Sequence, residues 1–249
     1  CATRPAALIE KVVGQVDYHY PYSAQTFRSW INYCTRHHAW LTFGCDLALG
    51  SPTDQEATLH EMLFLPDYLR EAFAKAEIID TQGQHRPLVS KTHVIEAAEP
   101  DELEKDLWDL LSPLRLGWLI FAITNVITLL GRFQKRAYKG LDILLFGLAG
   151  LAGCVLFFLA FFSVHPCTWP NYSLLWLHPF HLVGMILFCI NKAQRATYWY
   201  HFINFAALTL LFAGWAFLPQ QLNPAFIPLA ASLWLRSARG INKKKWTTE

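Results

Sequence analysis

The stretch that decides the fold is LDILLFGLAGLAGCVLFFLAFFS, residues 141–163, whose one charge, Asp142, stands at its edge. As a helix rising 1.5 Å per residue it is long enough to cross a hydrocarbon core of about 30 Å. A helix in the core of a soluble protein carries a polar stripe every third or fourth position, and this one has none. A helix satisfies its own backbone hydrogen bonds, so it is the open-ended structure that lipid tolerates, and the stretch reads as a membrane span. The composition agrees: 53% of the 249 residues are hydrophobic, 15% aromatic and 16% charged. The formal charge of +2 hides a division. Residues 1–110 carry 9 Lys/Arg against 17 Asp/Glu, and residues 111–249 carry 12 against 2. An acidic polar half joined to a basic apolar half predicts two parts, a water-exposed one and a membrane one.

Five apolar segments are expected after residue 112: 116–130, 141–163, 173–190, 198–218 and 225–235. The last is short for a span and is expected either to cross or to re-enter. The connections alternate in charge. GRFQKRAYKG holds four Lys/Arg, NKAQRAT two and the tail RSARGINKKKW five, whereas VHPCTWPNY and PQQLN hold none. The positive-inside rule then predicts that Lys135, Arg195 and Lys244 face the cytoplasm and that residues 1–112 lie on the opposite side. The organisation expected is an extracytoplasmic part at 1–112, a helical bundle at 113–236 and a basic cytoplasmic tail at 237–249. The KKK run in that tail suits anionic lipid headgroups.

The polar part mixes periods. CATRPAALIEKVVG predicts a helix with Thr3 as N-cap, Pro5 in the first turn and Gly14 as the stop. VDYHY suggests a short strand. SAQTFRSWINYC predicts a helix with Phe27, Trp30, Ile31 and Cys34 on one face. TDQEATLHEMLFL suggests a helix opened by a capping box from Thr53 to Glu56. Two or three short strands are expected between residues 76 and 100, turning at Gln82–Gly83 and near Pro87, and DELEKDLWDLL predicts an acidic helix leading to the membrane. The six cysteines, three in each half, have neither disulfide-framework nor zinc-cluster spacing. The chain opens on Cys1 rather than Met, as expected of a processed product or a piece of a longer chain.

Few residues point to chemistry. Cys1 precedes a helix start, where the dipole favours thiolate, the nucleophilic form. The plain alternatives are a small apolar cysteine or a lipidated first residue. His165, Cys167 and Asn171 fall in an outer loop, and polar residues at membrane depth mark pathways or sites. His178 and His181, three apart, share a helical face that suits a metal, but no carboxylate accompanies them. Their other reading is an interfacial belt with Trp169, Tyr172 and Trp176. His37 and His38 read as surface residues.

The opening CATRPAALIE, the long block from TFRSWINYC to AFAKAEI and the segment HPCTWPNYSLLWLHPF together resemble a family of membrane-bound lipoprotein N-acyltransferases of Bacteroidetes-type bacteria. The resemblance runs from Cys1 to about residue 190. It implies an α+β extracytoplasmic portion, part of a permuted papain-like domain, followed by an α-helical membrane bundle of about five spans in the bacterial inner membrane. In the permuted order the catalytic His precedes the Cys, so the resemblance places that His in an upstream segment outside this sequence. Cys1 matches the family nucleophile, and Thr3 and Arg4 match the residues after it.

The implied reaction takes an acyl chain from phospholipid to a cysteine thioester and then to the N-terminal amine of a diacylglyceryl lipoprotein. Its partners are a phospholipid donor, a lipoprotein acceptor and membrane lipids. No cofactor, metal or nucleic acid is expected. His165 and Asn171 are expected to support the site from the outer loop. A membrane-anchored cysteine peptidase or amidase, and a non-enzymatic membrane assembly component, are the alternatives from other classes.

Overall fold

The structure is a computed structural model that describes residues 3–19, 25–80, 82–93 and 111–242. Cys1 and most of the predicted acidic helix at 101–111 lie outside the described residues. The chain divides into two compact units, one of residues 1–30 and 55–104 and one of residues 31–54 and 105–249. Residues 31–54 thus group with the membrane bundle, not with the polar segments that flank them in sequence.

In the first unit, α1 (Thr3–Val13) begins at Thr3 itself and closes on Gly14. Gly14 takes φ +91° while its N–H donates to Glu10 O at 2.9 Å, the left-handed stop that glycine accepts without a Cβ penalty. Strand β1 (Gln15–Asp17) pairs antiparallel with β2 (Glu77–Ile79), which pairs antiparallel with β3 (His85–Pro87). Val16 lies opposite Ile78, and Ile78 opposite Arg86. The β2–β3 turn forms where expected because the Asp80 carboxylate accepts from the N–H groups of Gln82 and Gln84, at 2.8 and 2.9 Å.

Helix α2 (Phe27–Thr35) carries Trp30 inward but leaves Cys34 exposed, so the predicted apolar face is narrower than expected. The predicted capping box sits five residues later than expected. Thr53 lies in a 3₁₀ turn, Ser51–Asp54, with its hydroxyl donating to Gly50 O at 2.7 Å. The box is Thr58 with Glu61, at the start of α4 (Leu59–Met62). Both fit the same S/T-x-x-E spacing, and only the chain's path distinguishes them. Helix α5 (Pro66–Lys75) follows. Two small apolar clusters hold the unit, Ala6–Leu63–Ala72 with Tyr18 and Phe73, and Trp30–Ala57–Met62 with Phe27 and Tyr68.

The second unit contains α3 (Ala39–Ala48) and a bundle of α6 (Pro113–Phe133), α7 (Lys139–Phe161), α8 (Phe180–Cys189), α9 (Gln194–Gly214) and α10 (Phe226–Asn242). Among the described residues, four segments are long and apolar enough to cross a membrane: Pro113–Phe133, Lys139–Phe161, Pro166–Cys189 and Gln194–Phe217. The count expected was about five. The fifth apolar segment is a 17-residue helix, about 26 Å long, that carries Arg236 and Ser232 buried within the bundle. It packs against α6 and α9.

Two devices hold the bundle. Gly147, Gly150 and Gly153 make a ridge of bare backbone on α7. A Cβ at Gly150 would stand 2.7 Å from Leu182 N, and one at Gly153 2.5 Å from His178 C, so only glycine allows this approach. Phe146, fully buried in the core, meets Phe188, Tyr200 and His201 edge-on, with ring centroids 5.3, 5.7 and 5.9 Å away. At the basic end, Arg236 Nε donates to Asp142 Oδ1 at 2.6 Å, Nη1 to Thr128 Oγ1 at 2.9 Å and Nη2 to Ala137 O at 2.9 Å. That one guanidinium therefore joins α6, α7, α10 and the connection between the first two.

Candidate functional site

The third crossing is not one helix. From Pro166 to Pro179 it runs through two 3₁₀ turns, Pro166–Thr168 and Tyr172–Leu175, before α8 begins. Backbone that leaves helical geometry at membrane depth must find partners in the protein, because lipid offers none. It finds them in the end of α3 and in the segment after α9. Gly50 N donates to Cys167 O and Ser51 N to Pro170 O, both at 2.8 Å. Tyr172 N donates to Gln220 Oε1 at 2.7 Å, and Gln220 Nε2 donates to Leu49 O at 3.0 Å. Asn223 Nδ2 reaches Asp46 Oδ2 at 2.8 Å. The result is a polar frame that fixes an irregular strip of chain beside α7.

Between that strip and α7 lies an open groove of about 680 Å³. Its walls are Phe157 and Phe161 of α7, Trp169, Leu174 and Leu175 of the strip and Phe180 at the start of α8, with Cys154 and His178 at its inner end. Phe161 and Trp169 meet at 4.6 Å between ring centroids across its outer end. The lining is aromatic and aliphatic with few polar atoms, and the volume is in the range of small-molecule sites.

The residues singled out in sequence fall variously around it. Asn171 lines the groove but is 5% exposed, and its amide is committed to the frame. Its Nδ2 donates to Leu47 O and Ala48 O at 2.9 and 3.2 Å, and its Oδ1 accepts from Ser173 N at 2.9 Å. His165 is exposed, outside the groove lining, with Nδ1 2.6 Å from Ser163 Oγ. His181 is fully buried. Its Nε2 lies 2.9 Å from Trp176 O and its Nδ1 2.7 Å from the Tyr200 hydroxyl. A carbonyl only accepts, so Nε2 donates and Nδ1 accepts from Tyr200, which leaves neither nitrogen for a metal. His178 stacks on His181 with centroids 3.9 Å apart, and its buried Nδ1 has no hydrogen-bond partner among the described residues.

In the other unit, Thr3 opens α1 and Arg4 is exposed on it, while Cys1, two positions earlier, lies outside the described residues. Nearby electrostatics are local. Burial, then the Glu10 carboxylate that accepts from the Tyr18 hydroxyl, push the Tyr18 phenol well above its usual range. His85, whose Nδ1 stands 2.9 Å away, and then His19 hold the Glu77 carboxyl below the usual carboxylate value.

Cys154, Phe157 and Phe161 went unread in the sequence because they sit in an uninterrupted apolar run. The spacing Gly147–Gly150–Gly153 was the available signal, since three small residues on one helix face mark a close helix contact.

Comparison with protein families matches residues 104–245 to the Lnb transmembrane domain. The chain belongs to the Lnb transmembrane domain family. The Lnb match covers the whole bundle, α6 to α10, and with the four apolar crossings it makes this a multi-pass membrane protein. No curated protein and no solved structure matches the chain.

Proposed function

We propose that this protein is a membrane-bound acyltransferase of the bacterial inner membrane that moves a fatty acyl chain from phospholipid, through a thioester on Cys1, to the N-terminal amine of a diacylglyceryl lipoprotein. The observation that carries the reading is the Lnb transmembrane domain over residues 104–245, joined in one chain to an acidic part that begins Cys1-Ala-Thr3-Arg4. A reaction whose donor and acceptor are both anchored in one leaflet needs an enzyme held in that leaflet, and a multi-pass bundle provides this. The orientation that fits is residues 1–112 and the Cys167 loop on the periplasmic side and the basic connections in the cytoplasm.

The chemistry runs in two balanced steps. A base from the upstream papain-like portion, a His by the resemblance, takes the Cys1 proton. The thiolate attacks the acyl ester carbon, the C–O bond breaks, and the departing lysophospholipid oxygen takes the proton. The lipoprotein amine then attacks the thioester, the C–S bond breaks, and the amine proton returns to regenerate the thiol. Sulfur suits the position because a helix N-terminus favours its ionised form, and N–H groups of the first turn of α1 are donors for the oxyanion. Thr3 and Arg4 are the first two residues of that turn. Asn171 acts within the bundle, where its amide holds the frame of the broken crossing.

The test is intact-protein mass spectrometry of the complete protein, upstream segment included, with phospholipid and no lipoprotein. A fatty-acid-sized adduct on Cys1, removed by neutral hydroxylamine, is expected, together with loss of transfer in Cys1→Ser. Full transfer with Ser at position 1 would overturn the assignment.

A further inference from the structure

The groove between α7 and the irregular strip is more than a gap between helices. It runs along a crossing. Its α7 wall extends from Cys154 to Phe161, seven residues or about 10 Å of helix. One leaflet of hydrocarbon is about 15 Å deep, half the bilayer core. The groove therefore covers most of a leaflet's depth and is aligned with the direction in which lipid tails lie. Its outer end meets the polar frame at Asn171 and Tyr172, and its inner end closes on Cys154 and His178. Phe157, Phe161, Trp169 and Leu175 on its rim are each exposed by 40% or more, on segments that cross the membrane, so the opening faces lipid.

We propose that this groove seats one acyl chain of a phospholipid from the surrounding leaflet, with the headgroup end at the Asn171–Tyr172 frame and the tail toward Cys154 and His178. Three physical points select that occupant. A dry apolar slot has no use for water, which needs two to four polar partners. Walls left without neighbours forfeit dispersion contacts that a fitted hydrocarbon chain restores. The chain also interrupts a helix and commits a buried polar network to make this wall, beyond the α7 glycine ridge, which is already covered by Met185, Leu182 and His178. Non-helical backbone at this depth is tolerated only where it is buried or lines a cavity. The inference deepens the acyl-transfer reading, and rests on it only for naming this lipid as the donor. The seat itself is a binding property.

The experiment uses the full chain in nanodiscs containing a phospholipid with a photoactivatable diazirine midway along one acyl chain, with adducts mapped by mass spectrometry. Adducts concentrated on peptides within residues 154–180 are expected. Leu175→Trp, which puts an indole into the slot at a position already half exposed, should lower that labelling about fivefold, or ~1 kcal/mol. Leu129→Trp, on the exposed face of α6, should leave it unchanged. Labelling spread evenly over all lipid-facing helices, unaffected by Leu175→Trp, would overturn the seat. So would groove labelling by a photoreactive diacylated lipopeptide but not by the phospholipid, which would make the occupant the acceptor. Groove labelling without any thioester on Cys1 would leave the seat standing and remove the acyl-transfer reading. A thioester with evenly spread labelling would do the reverse.

Discussion

The ion pair between Asp142 and Arg236 gives the sharpest quantitative test of how the bundle is held. Both side chains are almost wholly enclosed, 3% and 2% exposed, with Arg236 Nε 2.6 Å from Asp142 Oδ1. Removing the carboxylate by Asp142→Leu leaves the guanidinium bonded to Thr128 Oγ1 and Ala137 O but without a counter-charge. With charge centres about 4 Å apart and an effective dielectric of about 20, the lost attraction is about 4 kcal/mol. That agrees with the roughly 3–5 kcal/mol found when one member of a buried pair is deleted. Surface screening does not reduce it, since neither group reaches water. The double substitution Asp142→Leu/Arg236→Met removes both charges, and with them the desolvation penalty, so it should return to within about 1 kcal/mol of the parent. The assay is unfolding in mixed detergent and SDS micelles, followed by tryptophan fluorescence on the parent, both single variants and the double variant. A single Asp142→Leu change of less than about 1 kcal/mol would refute the reasoning. So would a double variant as unstable as the single one.

Three other outcomes follow from the same structure. Gly153→Val places carbon against the His178 backbone, with Cβ 2.5 Å from its carbonyl carbon, and should destabilise by about 1–3 kcal/mol or more. Gly140→Ala, where a Cβ meets nothing within 4 Å, should have no such effect, and fluorescence-detected size exclusion after heating compares the two. Because His85 and His19 hold Glu77 below its unfolded pKa of about 4.3, Glu77 contributes stability above that value and loses it as pH falls through its folded pKa. Wild type and Glu77→Gln should therefore differ at neutral pH and converge in acid, read as the pH dependence of the unfolding midpoint. For orientation, single cysteines at 135, 195 and 244 should resist an impermeant thiol reagent in intact cells while Cys167 reacts. Labelling at 244 in sealed cells is the result that reverses the topology.

Where sequence reading failed, it failed for reasons visible in particular residues. Thr53–Glu56 and Thr58–Glu61 carry one capping signature, and the choice of Thr58 depends on where the chain turns after the 3₁₀ segment. For His178 and His181, helical spacing on one face left a metal conceivable beside the interfacial-belt reading. The pair instead straddles a helix start, and His181 is taken up by Trp176 and Tyr200. Residues 31–54 read as part of the polar half by charge, yet Phe43 packs on Phe226 with ring centroids 5.2 Å apart, within the bundle unit. Cys1, the residue with most chemical weight in the sequence reading, lies outside the described residues, so its role rests on the resemblance and on the α1 start.

The crossings were legible because lipid imposes a local rule. A lipid-exposed span must be about twenty apolar residues and largely helical, and both conditions are written in consecutive residues of the chain. The α1 stop at Gly14 and the Asp80 turn were legible for the same reason, since each is decided within five residues. The groove, the frame and the buried ion pair were not. Asp142 and Arg236 are 94 positions apart, and Asn171 meets Leu47 across 124. A buried charge or amide is stable only if its partner arrives from elsewhere in the chain, and nothing local states which partner that is. Only the packing of α7 against the broken third crossing, with glycines permitting the approach, turned an apolar run into one wall of a groove.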